Sequence, residues 1–118
     1  MTRAAELRVS NLQFVHEQDG APERLLKDRL VQSFNRRADV QRAYLAQVNA
    51  GGQLGVALCL RSLRGPDRGL VDDISDIFAA VFAAHEHLDV LFLNDDQESV
   101  LRSVCAPFFT APMEPPIA

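Results

Sequence analysis

The chain has 118 residues, 47% of them hydrophobic and 24% charged, with a formal net charge of −4. That length supports one core and not two, and no stretch nears the roughly 18 uninterrupted apolar residues of a membrane helix. The opening "MTRAAELRVSNLQF" lacks the apolar run of a secretory signal, and the negative charge argues against nucleic acid as a partner.

The expectation is a single cytoplasmic domain over residues 1–118, with its core over about 7–110. The first six residues read as frayed, and "APMEPPIA" at 111–118 reads as a Pro-rich tail outside any helix or central strand. Between them, "LRVSNLQFV" at 7–15 alternates apolar and polar residues in two phases. A bulge near Ser10 and Asn11 would reconcile them in one strand. "EQDGAP" then breaks the strand. Asp19 or Gly20 can cap a helix, Pro22 suits its first turn, and Glu23 favours the positive end of its dipole.

The first helix is expected over 22–37. Leu26, Leu30 and Phe34 recur every four residues, and Val31 widens their stripe. Arg36 and Arg37 would sit in its last turn, where cations complement the dipole. "VQRAYLAQV" (40–48) and "LGVALCLRS" (54–62) flank "NAGGQ", whose Asn49, Gly51 and Gly52 supply the positive φ angles of a hairpin loop. A second helix over 68–87 places Val71, Ile74, Phe78, Val81 and His85 on one face. Asp67, Asp72, Asp73 and Asp76 crowd its start, where negative charge is stabilised without a metal. "DVLFLN" at 89–94 is a continuous apolar run, a strand buried on both faces. Asp95 or Asp96 can cap a last short helix before Pro107.

The order is β-α-β-β-α-β plus a short C-terminal helix. This predicts an α+β, ferredoxin-like sandwich: an antiparallel sheet with two helices on one face. The first helix is basic and the second acidic, so side by side they would complement each other.

Chemistry is sparse. No dinucleotide, phosphate-loop or nucleophile-elbow motif is present, so no cofactor is implied. Cys59 and Cys105 fit no paired motif and are expected as free, buried thiols. His85 and His87 lie two apart and point to different sides of a helix, and His16 stands alone. The strand "LGVALCLR" has none of the aromatics that a base-stacking RNA module of this fold needs. A non-enzymatic protein follows.

Three stretches taken together, "PERLLKDRLVQSFNRRADVQRAYLAQV", "HLDVLFLND" and "CAPFF", are similar to the C-terminal domain family of the enhanced serine sensitivity protein SseB. The similarity spans about residues 21–109. It implies a bacterial cytoplasmic protein loosely linked to serine sensitivity, and no catalytic residues. Family members usually carry a further N-terminal domain, so a stand-alone version is expected here.

Two functional expectations result. The first is an interaction or regulatory module that forms a homodimer through the sheet face left open by the helices. That face would carry Ala43, Leu45, Ala57 and Cys59, with Phe109 reaching it from "CAPFF" while Phe108 plugs the core, and it would be too apolar to stay wet. The second is an amino-acid sensor with the β-α-β-β-α-β order of ACT domains, its ligand held by the loop at Asp19 and Gly20.

Overall fold

A computed structural model describes residues 3–6, 12–37, 39–63, 65, 67–82 and 87–111. Its elements are β1 (Arg3–Glu6), β2 (Leu12–Glu17), α1 (Ala21–Phe34), β3 (Val40–Ala50), β4 (Gln53–Ser62), α2 (Arg68–Val81), β5 (His87–Phe92), α3 (Asp95–Leu101) and β6 (Phe109–Thr110). The 112–118 part of the tail, the proposed bulge at Ser10 and Asn11, and His85 lie outside the described residues.

Local chemistry explains most boundaries. Gly51 and Gly52 have φ of 60° and 91°, and the Asn49 side chain accepts from the Gly52 amide at 2.9 Å. This closes the β3–β4 hairpin as the sequence predicts. α1 begins after Gly20 with proline in its first turn. α2 is capped by Asp67, whose carboxylate accepts from the amides of Gly69 and Leu70. α3 is capped by Asn94 rather than by Asp95 or Asp96. The Asn94 and Gln97 side chains each accept from the other residue's amide, a complete capping box. α1 stops at Phe34, before Arg36 and Arg37, so neither arginine sits in its last turn.

The sheet is mixed, with order β1-β5-β4-β3-β2, and β6 pairs with β3. The α+β class is as expected, but the interleaved ferredoxin-like order is not found. α1 returns the chain to a strand directly beside β2 and antiparallel to it, so only the β4–α2–β5 connection is a parallel crossover. Of the expected first strand, residues 12–15 lie in β2, and a further strand, β1, comes before it. Residues 3–6 are not frayed but pair in parallel with β5 at one edge of the sheet. β2 lies at the opposite edge, where a register shift between Phe14 and His16 marks a bulge. β6 continues that edge end to end with β2, pairing Phe109 with Ala43.

Both faces of the sheet are covered. On the first face, Leu26, Leu30 and Phe34 of α1 and Leu70, Ile74 and Phe78 of α2 pack on Ala43, Leu45, Leu58, Leu60, Leu88 and Val90. On the second, Leu101 and Cys105 cover Tyr44, Ala46, Val48, Ala57, Cys59 and Leu91. β5 is therefore buried on both sides, as its continuous apolar run implies.

The open apolar face expected from the sequence does not exist in the folded chain. Ala43, Leu45, Ala57 and Cys59 are each at most 1% exposed. They also do not share a face: Ala43 and Leu45 pair with Leu60 and Leu58, so they belong to the helix side, while Ala57 and Cys59 belong to the side under α3. The short helix, expected as an appendage, is a third covering element.

Candidate functional site

Under α3 lies a buried polar cluster, drawn from three elements. Glu98 of α3 is 6% exposed. Arg42 of β3 donates to it from Nε at 2.5 Å and from Nη2 at 2.8 Å, the two-pronged geometry that makes arginine–carboxylate pairs strong. Tyr44, two residues along β3 and on the same face, donates its hydroxyl at 2.6 Å. Arg61 of β4 adds a contact at 3.5 Å. It also donates to the Leu93 carbonyl at 3.1 Å and pairs with Asp95 at 2.7 Å.

Glu98, Tyr44 and Arg42 are each held in one protonation state. The Arg42 hydrogen bonds pull the Glu98 carboxyl down to about 2, assisted by the Tyr44 hydroxyl. Burial pushes the Tyr44 phenol up to about 12, and the neighbouring Glu98 carboxylate adds to the rise. Arg42 is raised by its bond to Glu98. A carboxylate that stays ionised and a phenol that stays protonated exchange no proton near neutral pH, so the cluster serves to fasten α3 to the sheet. None of it is visible in the sequence, where Glu98 sits in the polar run "DDQES".

Two further networks fix the ends of α1. Lys27, only 8% exposed, bonds Asp19 at 3.0 Å and Glu17 at 3.4 Å and lies 6.0 Å above the Phe108 ring. Beyond the other end, Arg37 reaches Asp39, Asp67 and Asp73 at 3.1, 3.4 and 2.8 Å. The bond to Asp39 is the main reason its guanidinium is raised. Arg37, just past the end of α1, thus ties that helix to Asp67, before α2, and to Asp73 within it. Asp67 is a cap and Asp73 an ion-pair partner. Among the described residues, no group of histidines, cysteines and carboxylates is arranged to hold a metal.

The predicted site residues have other duties. Asp19 is bound by Lys27 and pairs with Arg24 at 3.5 Å, and the Lys27 bond lowers its pKa. Gly20 is the N-cap of α1. Phe109, expected on the open face, is 6% exposed and meets Phe34 edge-on at 5.4 Å. Phe108 is only half-buried and stacks on the same ring at 6.5 Å. Phe109 takes the plug role read for Phe108, because it pairs with Ala43 on the first face, while Phe108 packs partly buried against the same core. Cys105 lies on the second face, away from them. Both thiols are free and buried. Burial raises Cys105 to about 11 and raises Cys59 further, so neither is an activated nucleophile. His16 and His87 are exposed, and His87 donates to Asp89 at 2.6 Å.

Two surface depressions complete the description. A cleft of about 540 Å³ between α1 and α2 is lined by Arg29, Arg36 and Arg37 but also by Asp73 and Asp76, so its charges offset each other. A groove of about 630 Å³ runs between β2 and α3, lined by Leu12, Phe14, Val15, Asp96, Gln97 and Val100 among others. Val15 and Val100 there are 39% and 59% exposed, and Val104, one turn beyond Val100, is 38% exposed. Compared with known proteins, the chain matches no family model, no curated protein and no solved structure.

Proposed function

We propose that this chain is a non-enzymatic interaction module that self-associates along its β2 edge and the α3 groove. The observation that carries the reading is the groove itself. It combines a mainly apolar lining, exposed valines on both banks, and an edge strand whose outer backbone groups pair with no strand among the described residues. The expected homodimer is retained, but its surface moves from the sheet face to the sheet edge.

The occupant proposed is a second copy of the chain. An antiparallel two-fold pairing of the β2 edges, with its axis perpendicular to the sheet, places both α3 helices on the same side of the joined sheet. Val100, which lines the groove beside β2, then lies near the seam. The shifted ionisations of Cys59, Cys105, Tyr44 and Glu98 support a role without catalysis, since each is moved away from the range useful for proton transfer. The resemblance to the SseB C-terminal domain family supports a bacterial, cytoplasmic protein of this kind. The amino-acid-sensor reading loses its loop, because Asp19 is engaged by Lys27 and Arg24 while Gly20 caps α1.

Val100→Asp tests the proposal, since it puts a charge into the seam without touching the core. The variant should melt near the parent temperature in dilute solution yet lose the concentration-dependent protection of β2 amides against hydrogen exchange. Protection of β2 that is the same at all concentrations in the parent protein would overturn the reading.

A further inference from the structure

A different feature lies where the start of α1 meets the end of α2 and the start of β5. An enclosed cavity of about 90 Å³ opens there, walled by Leu26, Val56, Phe78 and Phe82 and bearing two polar groups, Glu23 and His87. The Glu23 Oε2 atom is buried and, among the described residues, has no hydrogen-bond partner. A buried carboxylate oxygen without a donor is costly, so it calls for a donor such as a water or a cation. Gly20 is what lets the carboxylate lie there: a Cβ at that position would stand 2.8 Å from Oε2.

The surroundings define what would fit. Phe78 and Phe82 stack at 4.7 Å, so two aromatic rings border the space. The cations of the same turns are drawn elsewhere: Arg24 pairs with Asp19, and Lys27 with Asp19 and Glu17. His87 is tied to Asp89. A negative oxygen, aromatic rings and apolar walls together suit a cation with a short hydrocarbon tail.

We infer that this cavity binds a small primary alkylammonium ion. Its head would donate to Glu23 Oε2 and its tail would lie against Leu26, Val56 and the two rings. The volume equals about three waters, which admits a chain of a few carbons. A free amino acid is disfavoured, because its own carboxylate would face Glu23. The inference is independent of the self-association proposed above.

The test uses the full chain and n-propylammonium chloride, followed by backbone and aromatic NMR. Potassium chloride at equal ionic strength and n-propanol serve as comparators. Saturable shifts at Phe78, Phe82 and Leu88 with the ammonium are expected, with binding at least about tenfold weaker for Glu23→Gln and for n-propanol. Val56→Phe, which fills the cavity from β4, should abolish the shifts. Absence of saturation in the parent protein would show that the cavity holds water alone, and equal binding of ammonium and alcohol would show that Glu23 selects no cation; either result overturns the inference. Should Glu23→Gln fail to fold, the ammonium–alcohol comparison on the parent protein decides by itself.

Discussion

Replacing Glu98 by glutamine preserves the shape of the side chain and removes the charge that holds α3. The carboxyl lies at about 2 instead of its ordinary 4.5, a difference equivalent to about 3 kcal/mol between its charged and neutral states. The Glu98 side chain is 8% exposed but Arg42 keeps 28%, so solvent screening trims the value. A loss of about 2–3 kcal/mol at pH 7 is expected, in the range of hydrogen bonds to charged groups. The sign of the pH dependence follows from the lowered pKa. A carboxylate with a depressed folded-state pKa contributes fully above about 4.5, and its contribution disappears as pH falls through about 2. Urea denaturation of parent and variant from pH 7 downward should therefore show the difference between them shrinking to about half near pH 3. A difference below about 1 kcal/mol at pH 7, or one that stays constant with pH, would refute the idea that an ionised Glu98 clamps α3.

Phe109→Ala should cost about 3–5 kcal/mol, as expected for a buried aromatic, and Phe108→Ala clearly less; equal losses would contradict their different burial. Both thiols should react slowly in the folded protein and readily after unfolding, and Glu98→Gln should speed the labelling of Cys59 and Cys105 by loosening their cover. Cys105 is raised to about 11 and Tyr44 to about 12, so the stability they confer is complete below their ordinary values of 9.0 and 10.0 and falls as pH rises through the folded values. Urea midpoints that hold steady from pH 9 to 12 would contradict this.

Signals carried within one element were legible before the structure. The Leu26–Leu30–Phe34 stripe, the paired glycines of the hairpin and the two-sided β5 each follow from local spacing, and each is found. The sheet order was not legible, because β-α-β spacing does not tell a helix that returns beside its strand from one that crosses over another. The face assignment of β3 failed for a related reason. "VQRAYLAQV" is apolar in both phases, with Ala43 and Leu45 in one and Tyr44, Ala46 and Val48 in the other, so nothing local chooses which phase meets α1. α3 was underrated because its exposed Val100 and its acidic start suggest a surface turn. Only the fold brings Arg42, Tyr44 and Arg61 under Glu98, across more than thirty residues of chain.

Self-association along the β2 edge is the central claim, and sedimentation velocity across a range of micromolar concentrations tests it most directly. The parent protein should shift from one chain's mass toward twice that mass as concentration rises, while Val100→Asp stays at one. A parent protein that sediments as a single chain up to its solubility limit, indistinguishable from the variant, would contradict the claim.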